Sequence, residues 1–342
     1  EEAVEVLKRA VKKKPGDIDS LILLSTAQLL TGDVDGMHAS LSKASSWDRS
    51  HGLVVLTQVE AYLDSGKTDE ARGVLDIPGK VDDVKSIQGV WSPEVIAGLP
   101  RSTIHDERPV MIAGTPRSGT TLMERVINAH PLGSSVGECP MMLQMYARTM
   151  VGNLDQEKVD SYAREYLELL DERVGEGPTR IIDKHMGAEK DLGLISCVLP
   201  GVRVIQALRD PRDCCLSAFF QNFGSNVSYS RDLTTMGRQY VVYREMMDYW
   251  KEHLSIPVYV SVYEEFVADP EGSTRSLLEF LGIEFDDSTL KFYESKDHVN
   301  TRSSMQVRKP VYKTSTQRWK NYEKHLGPLL KVLGPYADGV MA

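Results

Sequence analysis

The stretch Gly114-Thr115-Pro116-Arg117-Ser118-Gly119-Thr120-Thr121 stands between an apolar run, Val110 to Ala113, and the helix-like Leu122-Met123-Glu124-Arg125-Val126-Ile127. A strand that ends in a glycine-bracketed turn and enters a helix aims backbone N–H groups and the positive helix end at one oxyanion, so phosphate binding is the chemistry this stretch can do. Its glycine spacing and the hydroxyl of Thr121 nearly match the nucleotide P-loop, G-x-x-x-x-G-K-[ST]. Thr120 stands where that pattern needs the lysine that reaches the β- and γ-phosphates, and Arg117 offers a cation earlier in the loop. The loop is expected to grip a phosphate without handling a triphosphate.

Three further segments could join it. Val202 to Leu208 reads as a buried strand, and Arg209-Asp210-Pro211-Arg212-Asp213 then opens a helix carrying Ser217 and Ala218. An arginine fork and a hydroxyl on the first turns of a helix suit a phosphate dianion. Ile181-Ile182-Asp183-Lys184 is a short strand ending in a lysine. Near the C-terminus, Ser303-Ser304-Met305-Gln306-Val307-Arg308-Lys309-Pro310-Val311-Tyr312, followed by Arg318-Trp319, is a basic loop, a pattern that by itself describes a solvated face.

Taken in this order over residues 109 to 320, the segments resemble the sulfotransferases that use 3′-phosphoadenosine 5′-phosphosulfate (PAPS), in particular the tyrosylprotein sulfotransferases and bacterial sulfotransferases with tetratricopeptide repeats. The resemblance implies that Arg117, Ser118, Gly119, Thr120 and Thr121 hold the donor's 5′-phosphosulfate, and that Arg209 and Ser217 hold its 3′-phosphate. It places Tyr263 near the nucleotide, with Ser303, Gln306, Val307, Arg308, Lys309 and Arg318 as further donor contacts and Ser303 or Ser304 closing over the sulfate. Lys184 is implied at the bridging oxygen, with Arg117 assisting and no metal required. Gln221 stands where the tyrosylprotein enzymes have an arginine, and Arg212 is a candidate replacement.

The general base has more than one candidate. The tyrosylprotein enzymes carry a Gly-Glu-Glu whose second carboxylate is catalytic, whereas here Gly137-Glu138 is followed by Cys139, with one extra residue between His130-Pro131 and the glycine. Ungapped counting from Arg117 assigns the role to Glu138; matching the glycines assigns the position to Cys139. His185, beside Lys184, is the alternative to Glu138, since a neutral imidazole suits proton abstraction near pH 7.

The reaction so implied is sulfuryl transfer from PAPS to a hydroxyl acceptor, a protein tyrosine or a metabolite, lipid or sugar hydroxyl, with release of PAP (3′-phosphoadenosine 5′-phosphate). A P-loop kinase or nucleoside triphosphatase is one alternative; a repeat-based binding protein with a silent enzyme domain is another. The formal net charge of −9 argues against general nucleic-acid binding. No apolar run approaches the length needed to span a bilayer. Cys139, Cys197, Cys214 and Cys215 lack metal-ligand spacing, so a reducing cytoplasm is expected. The chain begins at Glu1 within a helical pattern and without a methionine, so further sequence is expected upstream.

The elements that must position these residues form an α/β domain over 109–342, a P-loop-like parallel sheet flanked by helices, with strands at 109–113, 180–184, 202–208 and 258–262. Residues 155–175 and the set Tyr240, Tyr243, Met247 and Trp250 read as packing helices. Residues 1–80 read as all-helical, because Ala27, Leu29, Gly32, Asp35 and Leu41 recur as Ala61, Leu63, Gly66, Asp69 and Leu75, a 34-residue tetratricopeptide period. That part is expected to serve a protein partner or self-association, or simply to cap the fold. Residues 81–108, punctuated by Gly89, Pro93 and Gly98-Leu99-Pro100, read as a connector.

Overall fold

A computed structural model describes residues 2–14, 17–30, 33, 36–37, 39–41, 43, 84–139, 141, 145, 154–185, 187–221, 229–230, 232–294 and 316–340. The chain divides into two compact units, 1–83 and 84–342.

In the first unit, α1 (Glu2–Lys13) and α2 (Ile18–Leu30) form a helical pair. Val4 and Val11 of one pack with Leu21 and Leu24 of the other, and Met37 and Leu41 are buried further along. Gly32, Asp35 and the second copy of the 34-residue period lie outside the described residues.

The second unit opens with α3 (Val84–Val90) and α4 (Pro93–Gly98). Trp91 between them is fully buried, and Val84 and Ile96 enter the same core. This corrects the reading of 81–108 as a mere connector, at least from residue 84 onward. Its Gly and Pro residues delimit two short helices, with Ser92 capping the second, and Trp91 docks edge-on to Trp250 at 6.1 Å.

The centre is a five-stranded parallel sheet: β1 (Pro109–Ala113), β2 (Gly133–Gly137), β3 (Arg180–Asp183), β4 (Arg203–Leu208) and β5 (Val258–Val262), in the order β2-β3-β1-β4-β5. Between β1 and β2 runs α5 (Thr120–Asn128); α6 (Gln156–Val174) precedes β3, and α7 (Ala188–Val198) follows it. After β4 come α8 (Pro211–Phe219) and α9 (Leu233–His253); α10 (Tyr263–Ala268) and α11 (Pro270–Leu281) follow β5. The C-terminal part adds a 3₁₀ segment, Arg318–His325, and α12 (Gly327–Leu333).

A parallel strand covered by helices on both faces must be apolar throughout, as β1 is. Met111 and Ala113 point into a core shared with Tyr166 of α6, Ile195 of α7 and Trp250 of α9, whereas Val110 and Ile112 point into a second core with Val126 of α5 and Leu278 of α11. Four of the five strands lie where the sequence places them. β2 went unread because Gly-Ser-Ser-Val-Gly has low strand propensity and only intermediate burial; its pairing with β3, rather than its composition, makes it a strand. No helix among the described residues is long and apolar enough to cross a membrane.

Candidate active site

The loop after β1, Glu138 after β2, Lys184 and His185 after β3, Arg209 after β4 and Tyr263 after β5 all follow the C-terminal ends of strands, where open parallel sheets bind ligands. The loop after β1 bends through two left-handed residues, Arg117 (φ 73°) and Gly119 (φ 105°), before α5 begins at Thr120. A left-handed arginine costs of order 1 kcal/mol or more, and the fold keeps it there by tying it down. Arg117 Nε donates to Ser217 Oγ at 3.1 Å, and Arg209 Nη1 donates to the Arg117 carbonyl at 3.0 Å. These contacts join the first loop to Arg209, just after β4, and to α8. Beneath the loop, the Cys214 thiol donates to the Pro116 carbonyl at 3.2 Å and lies 3.3 Å from Thr115 Oγ1. Burial pushes the Cys214 thiol up to about 11, so it acts as a neutral strut. Nothing in the sequence reading marked Cys214, whose role depends on a contact across 98 positions of chain.

The loop has little spare volume. A Cβ on Gly114 would stand 2.5 Å from Ser118 Oγ and 2.6 Å from Thr120 Cγ2. Ser118 is 1% exposed, and its hydroxyl has no hydrogen-bond partner among the described residues. An unpartnered buried hydroxyl is expensive unless a ligand completes it.

Opposite, at the ends of β2 and β3, stands an ion-paired group. Lys184 is 4% exposed, and its ammonium meets Glu138 Oε1 at 2.8 Å and Glu124 Oε2 at 3.8 Å. Ser135 Oγ donates to the other oxygen of Glu124 at 2.7 Å and accepts from Gly137 N–H at 3.0 Å. The register against β3 shifts between Ser135 and Gly137, and Gly137 is left-handed at φ 71°. Such a bulge re-aims the side chains that follow it. Glu138 is half exposed and faces Lys184. Cys139 is fully buried, with its N–H on Asp183 Oδ1 at 3.2 Å.

Asp183 also accepts from the Tyr166 hydroxyl at 3.0 Å, and burial pushes its carboxyl up to about 6. Tyr166, read from the sequence as packing, is therefore also a polar support of the site. His185 is turned away toward Asp191, with Nε2 3.5 Å from Oδ2. Burial lowers the affinity of its ring for a proton, but the bond to Asp191 and the charges of Asp191, Asp183 and Glu189 outweigh it, and the net shift is upward. A ring favoured as imidazolium is a poor base.

The third part is a cleft lined by Arg209, Asp213, Leu216, Ser217, Phe220 and Arg318. The Arg209 guanidinium lies 4.7 Å from the centre of the Tyr263 ring, which joins Tyr263 to this group. Arg212 does not turn into the cleft. It forks onto Asp210 at 2.6 Å and stacks on Trp319 at 3.9 Å, so the position of Gln221 gains no cation from it. Thr121 is buried in the first turn of α5. Ser303, Ser304, Gln306, Val307, Arg308 and Lys309 lie outside the described residues.

Comparison with known proteins gives the following likenesses. The model of the sulfotransferase family matches residues 109–287, just over half of the chain. An uncharacterized protein of Aquifex aeolicus is 31% identical over 263 residues, which cover 71% of this chain and 34% of that protein. A protein-tyrosine sulfotransferase of Drosophila melanogaster is 25% identical over 270 residues, covering 67% of this chain and 52% of the fly protein. The chain thus spans about a third to a half of the length of these relatives. Among solved structures, the sulfotransferase domain of the Synechococcus PCC 7002 olefin synthase superposes with a TM-score of 0.54 at 16% identity, covering 70% of this chain and 97% of that domain, a likeness of fold.

Proposed function

The chain belongs to the sulfotransferase family, and from that premise we propose that it transfers a sulfuryl group from PAPS to a hydroxyl acceptor and releases PAP. The observation that carries the reading is the pairing of two half-sites at the C-terminal end of one sheet: a phosphate-type loop with a buried Ser118 hydroxyl that has no partner among the described residues, and a buried Lys184 in contact with a half-exposed Glu138.

The residues fit the donor. Arg117, Ser118, Thr120, Thr121 and the N-terminal amides of α5 would hold its 5′-phosphosulfate; Arg209, Ser217 and Arg318 would hold its 3′-phosphate, with Tyr263 beside Arg209. Bound PAPS supplies an activated sulfuryl group on a phosphate leaving group. The acceptor oxygen forms a bond to sulfur as the sulfur–oxygen bond to phosphate breaks, and Glu138 takes the acceptor's proton. Lys184 and Arg117 present cations to the charge that builds on the departing phosphate, which stabilises the transition state more than the ground state. Lys184 also orients Glu138 through their 2.8 Å contact. The exposure of Glu138 and the burial of Cys139 support Glu138 over Cys139, and the Asp191 contact of His185 supports it over the imidazole.

We take a protein tyrosine as the acceptor, because several relatives are protein-tyrosine sulfotransferases and a phenol is a stronger acid than an alkyl alcohol. The helical pair of the first unit is then the tetratricopeptide-like part, serving a protein partner or self-association. The test is transfer from radiolabelled PAPS to a tyrosine peptide, a simple phenol, an alkyl alcohol and a sugar, beside ATP with magnesium as control. Label on the peptide supports the full reading, and label on another hydroxyl replaces the tyrosine. Failure of both PAP and PAPS to bind overturns the donor assignment.

A further inference from the structure

An anion cleft lined by Arg209, Ser217 and Arg318 also contains a carboxylate, Asp213, only 2% exposed. As a bare charge it would repel the phosphate that its neighbours attract. Its lone pairs are directed elsewhere. Asp213 Oδ2 accepts from the backbone N–H of Gln317 at 2.5 Å, and Oδ1 accepts from that of Trp319 at 2.8 Å, a clamp that reaches across 104 to 106 positions of chain. The two amides flank Arg318. Gln317 is left-handed at φ 59°, a conformation that a non-glycine residue holds only when its surroundings impose it. Arg212, the preceding residue, adds its guanidinium over the Trp319 ring at 3.9 Å while its fork holds Asp210. Arg212 and Asp213 thus grip the ring and the backbone of one short segment, and the residue left pointing to the cleft is Arg318.

We infer that Asp213 is a positioning residue for the donor, acting through Arg318: by clamping the amides on either side, it fixes the guanidinium at the cleft and raises affinity for the nucleotide's phosphate. This rests on the PAPS reading above.

Two roles for Asp213 make opposite predictions. If it were merely a charge near the ligand, Asp213→Asn would remove a repulsion and tighten PAP binding. If it is the clamp, the same isosteric change keeps one acceptor oxygen and replaces the other with an NH2 group that cannot accept, so one of the two N–H bonds is lost, Arg318 wanders, and binding loosens. Calorimetric titration with PAP of the full chain decides between them in a cycle of Asp213→Asn, Arg318→Ala and the double variant. The clamp predicts about a tenfold rise in Kd for Asp213→Asn, equivalent to about 1.4 kcal/mol, and less than about twofold when Arg318 is already alanine. Asp213→Glu keeps the charge but displaces the carboxylate, so it should weaken binding too. Amide hydrogen exchange should speed at Gln317 or Trp319 in Asp213→Asn.

Tighter binding in Asp213→Asn, unchanged binding, or an equal loss in both backgrounds overturns the inference. If Asp213→Asn does not fold, Asp213→Glu carries the cycle. Absence of PAP binding in the unaltered chain would instead overturn the donor assignment itself, so the two failures are distinguishable.

Discussion

Replacing Gly114 by alanine tests whether the loop after β1 is a fitted phosphate cradle. The added Cβ would lie 2.5 Å from Ser118 Oγ, 2.6 Å from Thr120 Cγ2 and 3.1 Å from Ala207 Cβ. Real Cβ contacts are almost never closer than 3.0 Å, so the two hydroxyl-bearing side chains must shift by several tenths of an ångström, and the Ala207 methyl on the adjacent strand limits retreat to the other side. Overpacking of this kind costs about 1–3 kcal/mol, less than the roughly 5–15 kcal/mol by which a folded domain is stable, so the fold is retained. The loop is the part that yields. Displacing Ser118 and the neighbouring amides removes one or two charge-assisted hydrogen bonds to a phosphate, each worth about 1.5–3 kcal/mol. PAP affinity should therefore fall at least about tenfold, with a midpoint of thermal unfolding lower by only some 2–10 °C. Calorimetric titration with PAP at a temperature where both forms are folded measures the first quantity, and a thermal melt without ligand the second. Unchanged affinity in Gly114→Ala would refute the claim that the loop's close fit serves an anion.

Glu138→Gln should lower kcat by about 10²–10⁴-fold with PAP affinity within threefold, whereas His185→Gln should stay within a few-fold of the unaltered rate; a reversed order would transfer the base role to His185. Asp183 links stability to pH. Its carboxyl is raised in the fold to about 6, so its contribution is full below the unfolded value near 4 and is lost as pH rises through about 6. Relative to Asp183→Asn, the unaltered chain should gain on the order of 1 kcal/mol between pH 7.5 and 5, measured by urea unfolding; a pH-independent difference would contradict the assignment. Trp91→Ala should cost about 3–5 kcal/mol if residues 84–98 are core, and a loss below 1 kcal/mol would return them to a connector.

The sheet was legible where one principle dominates. Strands of a parallel sheet carry short apolar runs, so β1, β4 and β5 declare themselves and β3 is marked by Ile181-Ile182 between Arg180 and Asp183, while the glycine loop follows from its position between β1 and α5. β2 was not, since Gly133 to Gly137 gain strand geometry from β3 and from a bulge that no local pattern encodes. The same bulge decides what counting could not: whether Glu138 or Cys139 faces Lys184 depends on one residue of register. Supports made by distant pairs were equally hidden. Glu124 on Lys184, Cys214 under Pro116, Tyr166 on Asp183 and Asp213 on Gln317 are ordinary residues in the sequence, and they become informative only when the fold brings them together. Trp91 shows the converse. Gly and Pro nearby suggested a spacer, but a large aromatic side chain with a pocket against Trp250 outweighed the local punctuation.

The central claim is that Lys184 serves a sulfuryl transfer whose donor sits on the loop after β1. Its most direct test is transfer of label from PAPS to a tyrosine peptide and to a simple phenol by the unaltered chain and by Lys184→Ala. The account predicts a labelled acceptor with the first and a rate at least about a hundredfold lower with the second, while both bind PAP. Equal rates, or turnover of ATP with magnesium and no transfer from PAPS, would contradict it.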